Sequence, residues 1–116
     1  MKKIDLKSLV GFNLIAEVYG FGSYFKGSQK FQDIDLLIVH TSSDYDSCLE
    51  AISLKKAIVG TIEMAEVSIL SKSEEQSFNF IDKSKAILLY VYEGESKSLA
   101  AKEILKNVQA HGDVTH

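Results

Sequence analysis

The sequence predicts an α/β (α+β) fold, a single small mixed sheet of about four strands packed with helices, and three observations predict it. Short runs rich in Val, Ile, Leu and Tyr alternate with stretches of helical spacing, the pattern of one sheet covered by helices. The composition, 46% apolar and 25% charged, is that of a folded globule rather than a disordered chain. The length, 116 residues, suffices to bury roughly two thirds of the unfolded surface in one core. Residues 1–116 are therefore expected to form a single domain, with a tail over 110–116 expected to fray.

The elements follow in order. Residues 2–12 read as a short, weakly amphipathic helix ending near Gly11. Leu14 to Phe21 reads as a strand, closed by the turn signal Gly20-Phe21-Gly22-Ser23. The polar stretch 24–32 reads as a helical turn followed by a loop. Ile34 to His40 is an apolar run too short for a globular helix, hence a buried strand. Tyr45, Cys48, Leu49, Ile52 and Val59 share one helical stripe, predicting a helix over 44–59 that buries this stripe and stops at Gly60. A strand over 62–70 alternates Met64, Glu66 and Ser68 with Ala65, Val67 and Ile69. Ser71-Lys72-Ser73-Glu74 has the capping-box pattern and opens a helix carrying Phe78 and Ile81. Ala86 to Tyr92 reads as a strand, and residues 96–110 as a last helix with Ala101, Ile104, Leu105 and Val108 toward the core.

Composition excludes several classes. No apolar run approaches the ~20 residues of a membrane span, and Met1-Lys2-Lys3-Ile4-Asp5 runs into an acid instead of a signal-peptide core, so a cytoplasmic protein is expected. Cys48 is the only cysteine, which leaves no disulfide framework and no thiolate metal site. The net charge is −3 and every basic residue is Lys. Without Arg, bidentate contacts to phosphate or guanine are missing, and counterion release offers little, so nucleic-acid partners are disfavoured. A nucleotide remains compatible, since Lys, backbone N–H groups and metal ions can hold its phosphates.

One constellation carries chemistry. Asp33 and Asp35 stand two apart at the start of a strand, so both carboxylates face one side with Cα atoms roughly 6–7 Å apart. At that separation two unit charges repel by about 2–3 kcal/mol at an effective dielectric of 20. Taken alone, Asp-Ile-Asp reads more simply as a polar strand start. Gly22-Ser23, where a strand gives way to a helical turn, changes the balance: its backbone N–H groups and the Ser23 hydroxyl can face an anion, and Gly22 leaves room for a phosphate. Paired carboxylates with a phosphate-cradling turn point to a nucleoside triphosphate bound as its Mg²⁺ or Mn²⁺ complex.

The stretch Phe21-Gly22-Ser23-Tyr24-Phe25-Lys26-Gly27 through Asp33-Ile34-Asp35-Leu36 resembles the minimal nucleotidyltransferases, the small bacterial and archaeal branch of the nucleotidyltransferase fold of the DNA polymerase beta superfamily. The resemblance covers roughly residues 2–92 in element order, with its motif confined to 21–36. It implies in-line attack by an acceptor hydroxyl on the α-phosphate of an NTP, ATP first among candidates, with release of pyrophosphate. It assigns metal binding to Asp33, Asp35 and a third carboxylate on a later strand, for which Glu66 is the candidate; the family usually has Asp there, and the longer Glu leaves room for an impaired, non-catalytic nucleotide-binding or interaction subunit. Glu63 is the fallback if the register slips. Gly22, Ser23 and Lys26 are the phosphate-binding candidates, although Lys26 alone reads as a solvated side chain.

Larger members of the superfamily carry a second, acceptor-binding domain. With no room for one in 116 residues, the acceptor site is expected from a second copy or another protein. The resemblance also implies a helical partner of HEPN type, silenced by the addition of AMP in toxin–antitoxin pairs. Among the remaining candidates, His40 reads as structural or exposed, Cys48 as core, Tyr19, Tyr90 and Tyr92 as packing residues, and His111 and His116 as tail residues with nothing to fix them.

Overall fold

The computed structural model describes residues 14–42 and 44–115. The helix predicted over 2–12 and His116 lie outside them. Four strands form one sheet: β1 (Ala16–Phe21), β2 (Ile34–His40), β3 (Ala65–Ser71) and β4 (Ile87–Tyr92), in the order β3-β2-β1-β4. β2 and β3 are parallel; β1 runs antiparallel to both β2 and β4. The sheet is mixed, as predicted. β2 lies between β1 and β3, and Leu36, Leu37, Ile38 and Val39 are all buried, which is why it reads as a continuous apolar run.

A 3₁₀ turn, Tyr24–Lys26, follows β1. Helix α1 (Tyr45–Thr61) links β2 to β3; α2 (Lys72–Phe78) and α3 (Phe80–Ser84) precede β4; and α4 (Lys97–Thr115) closes the fold. The Asp44 carboxylate caps α1, accepting from the Ser47 N–H at 2.8 Å. Ile34, Leu36 and Ile38 of β2 join Ala16, Val18 and Val67 in one core with Leu54, Ile58, Ile104 and Val108 of α1 and α4. Ala51, Ala100 and Ala101 are buried where the helices meet, small enough to let them approach, and Lys97 Nζ on α4 pairs with Glu50 Oε1 on α1 at 2.9 Å.

The structure corrects five expectations. First, α1 presents the opposite face. Tyr45 (76%), Leu49 (44%) and Val59 (49%) are exposed, whereas Ala51, Leu54 and Ile58 are buried. Both arcs of this helix are apolar, and packing against α4 selects the arc that contains the small residue. Cys48 is accordingly half-buried rather than core. Second, α1 runs through Gly60 to Thr61, with the Ile62 N–H donating to Ile58 O at 2.8 Å. Third, β3 starts at Ala65 rather than 62, because Met64 adopts a left-handed conformation (φ 73°). Fourth, the Ser71–Glu74 capping box forms as predicted, but the helix breaks at Asn79 (φ 54°, ψ 41°). Asn tolerates that region, and the break leaves Phe78 exposed. Fifth, α4 continues to Thr115, and His111 is fixed, its Nε2 lying 3.1 Å from Phe25 O. His40 is structural, its Nδ1 2.7 Å from Ser42 O and 3.0 Å from Ser47 Oγ.

Candidate active site

The alternation of β2 that sends Leu36 and Ile38 into the core turns Asp33 and Asp35 to the other face of the sheet. Asp35 is the register partner of Glu66 on the parallel strand β3. Residues so paired lie side by side on one face, on strands about 4.8 Å apart. That register is set one residue away, where the Ile34 N–H donates to Met64 O at 2.9 Å. Asp33, immediately before β2, and Glu66 are exposed; Asp35 between them is half-buried. Burial raises the Asp35 carboxyl above its ordinary range, and the charges of Asp33 and Glu66 push it in the same direction. Glu63 is exposed in the turn before β3, off the strand altogether.

Gly22 meets this cluster directly. A Cβ there would lie 2.4 Å from Asp35 Oδ2, and the backbone is left-handed at φ 83°. Glycine is therefore required twice over, for the turn and for contact with the carboxylate. Ser23 opens the 3₁₀ turn, is exposed, and makes no capping hydrogen bond with its side chain. Lys26 ends the turn and is exposed. The turn is held in place from both sides. The Phe25 ring lies where a Cβ of Gly20 would be, at 2.4 Å, and the Tyr24 hydroxyl donates to Val108 O of α4 at 3.0 Å. The His111 ring sits 5.2 Å from that of Phe25. Tyr24, Phe25 and His111 thus position the glycine turn. The aromatic pair Tyr24-Phe25 after Gly22-Ser23 was a visible signal for this; the contribution of His111 depends on α4 packing across the turn.

Among the described residues, no three His, Cys, Asp or Glu side chains are gathered closely enough to hold a metal ion unaided. The donor set nevertheless suits a hard divalent cation completed by substrate. It is all oxygen, Asp33, Asp35 and Glu66 make no ion pair with any described residue, and Mg²⁺ commonly takes only one or two protein carboxylates plus phosphate oxygens.

Two hollows are lined by neighbours of the carboxylates. One of about 480 Å³ is bounded by Phe21, Gly22, Phe25, Lys26, Lys83, Ser84 and Lys85. The other, about 420 Å³, is apolar and lies between Phe21, Leu37, Ser68 and Leu70 of the sheet and Phe78 and Phe80 of α2 and α3. Leu37 and Ser68 follow Asp35 and Glu66 by two residues, so this hollow continues the same face. Lys83 and Lys85 escape sequence reasoning because they stand some sixty residues from the glycine turn and form no motif.

The family model of the nucleotidyltransferase domain matches residues 3–111. The chain belongs to that family. The resemblance carried by Gly22-Ser23 and Asp33-Ile34-Asp35 thus extends over nearly the whole chain, and the mixed sheet with its helices agrees with the fold. No curated protein and no solved structure matches the chain. As a nucleotidyltransferase-domain protein it acts in general on a nucleoside triphosphate, transferring the nucleotidyl group, in a family that typically works with divalent metals. No helix among the described residues is long and apolar enough to cross a membrane.

Proposed function

We propose that the protein is a cytoplasmic, metal-dependent nucleotidyltransferase that moves AMP from ATP to a hydroxyl group of a protein or small molecule. The observation that carries this reading is the side-by-side register of Asp35 and Glu66 beside Asp33, facing Gly22 across a contact with no room for a Cβ. Asp33 and Asp35 are the residues to hold Mg²⁺ or Mn²⁺, with Glu66 as third ligand. A divalent ion bound there supplies neutralisation of charge on the phosphate and on the attacking and leaving oxygens. The backbone at Gly22 and the Ser23 hydroxyl orient the phosphates, and Lys26 offsets their charge.

In the transfer the acceptor oxygen bonds to the α-phosphorus and the bridging α-phosphorus–oxygen bond breaks. Its electron pair leaves with pyrophosphate, and the hydroxyl proton passes to the Glu66 carboxylate. The work of the protein is positioning and electrostatics. We infer that the acceptor is a hydroxyl on a helical protein of HEPN type, the chain then serving as the antitoxin of a pair. The exposed apolar residues Tyr45, Leu49, Ile52 and Val59 along α1 support a protein partner.

The test is incubation of the protein and its co-purifying partner with Mg²⁺ and ATP labelled at the α- or γ-phosphate. Transfer of α-label alone, lost in Asp35→Asn, is the expected result. Absence of transfer together with retained nucleotide binding would convert the reading to a non-catalytic nucleotide-binding subunit.

A further inference from the structure

We propose that the hollow beside Gly22 is a polyphosphate subsite in which Lys83 and Lys85, together with Lys26, hold the terminal phosphates of the nucleotide and the pyrophosphate it releases. The proposal rests on the transferase reading for its substrate but adds two residues, Lys83 in the last turn of α3 and Lys85 at its C-terminal cap, that no motif assigns. Gly22 is the point that carboxylates and lysines share. It abuts the Asp35 carboxylate, and it also lines the hollow together with the three lysines. Negative and positive charge thus meet around a single residue.

Lys26, Lys83 and Lys85 are exposed and pair with no described carboxylate; the two ion pairs of the described residues are Lys97–Glu50 and Lys106–Glu103. Three like charges around about 480 Å³ repel one another until an anion enters. The ligand that suits both sides is extended and heterogeneous. Its inner phosphate would lie toward the carboxylates and a cation held by them, and its outer phosphates carry the charge that lysines neutralise. A nucleoside triphosphate has that distribution, and AMP lacks the outer part.

The backbone holds the lysines where they are needed. Lys85 closes α3 in a left-handed conformation (φ 57°), its N–H donating to Asp82 O at 3.2 Å, while the Ala86 N–H donates to Ile81 O at 3.0 Å. The Ser84 hydroxyl donates to Phe80 O at 2.8 Å, so it stabilises the helix end and leaves the lysines as the donors to the hollow. Phe21 and Phe25 also line the hollow. Because lysine ammoniums are compact point charges, affinity here should follow total phosphate charge and fall with salt.

The test is titration of the metal-free protein with inorganic tripolyphosphate, ATP and AMP, followed by amide chemical shifts and calorimetry. Tripolyphosphate and ATP should shift the amides around Lys26, Lys83 and Lys85, and AMP should shift them far less. In Lys83→Gln/Lys85→Gln, tripolyphosphate affinity should fall about tenfold, whereas Lys55→Gln, on α1 and outside the lining of this hollow, should leave it unchanged. Equal tripolyphosphate affinity in the double variant and the wild type overturns the subsite, even if AMP transfer is observed. Lysine-dependent tripolyphosphate binding without any AMP transfer supports the subsite and overturns the transferase reading instead.

Discussion

The two faces of the sheet divide the labour of the molecule, and β2 serves both. On the face covered by α1 and α4, Ile34, Leu36 and Ile38 are buried with Leu54, Ile58, Ile104 and Val108, and no charge intrudes. On the other face the same strand, one residue out of phase, carries Asp33 and Asp35 beside Glu66, three acids with no described counter-ion and a carboxyl at Asp35 raised by burial and by its neighbours. One face contributes stability; the other gathers like charges whose repulsion helps to raise the Asp35 carboxyl. The period-2 geometry of a strand is what allows a seven-residue segment to do both.

If the division is real, variants should separate cleanly. The largest effect belongs to the acidic face. Asp35→Asn should lower AMP transfer by about 10³-fold with an unchanged circular dichroism spectrum, and a folded variant transferring at the wild-type rate would break the comparison. Next, Leu36→Ala, one residue along but on the opposite face, should cost about 3 kcal/mol in urea unfolding, while residual folded protein keeps its metal dependence. Ser71→Ala removes one half of the capping box, in which Ser71 Oγ accepts from the Glu74 N–H at 3.1 Å. It should cost ~1 kcal/mol without altering activity.

A smaller effect has the opposite sign. The Asp35 carboxyl is raised in the folded state, so the metal-free protein is penalised as pH rises above the unfolded carboxylate value, fully so once the folded value is passed. With chelator present, Asp35→Asn should therefore melt ~2 °C higher than wild type at pH 7, and the gain should vanish below about pH 4. Mg²⁺ should reverse the order. Smallest of all, Leu49→Ala on the exposed arc of α1 should change stability by no more than about 0.5 kcal/mol, against several for Leu54→Ala.

How far the sequence discloses this depends on whether the signal is local. β2 and its acids are legible because the apolar run and the two aspartates occupy one strand, whose alternation assigns the faces. Gly22 is legible as a turn, but its second role, yielding space to Asp35, appears only when β1 and β2 are paired. Glu66 comes from the family resemblance; nothing in its own spacing selects it, and the parallel β2–β3 register places it beside Asp35. The orientation of α1 is illegible because both arcs are apolar, and the choice is made by Ala51 meeting α4. His111, Lys83 and Lys85 are far in sequence from the turn they approach, so no motif could join them to it.

The most direct test of the central claim, that Asp33, Asp35 and Glu66 act as one cation site on the face of the sheet away from α1 and α4, is Mn²⁺ titration of the isotopically labelled protein in the presence of ATP. Paramagnetic broadening should appear first at the amides of Gly22, Asp33, Asp35 and Glu66, spare Ile104 and Val108 on α4, and be lost in Asp35→Asn. Broadening centred elsewhere, or identical in wild type and variant, would contradict the account.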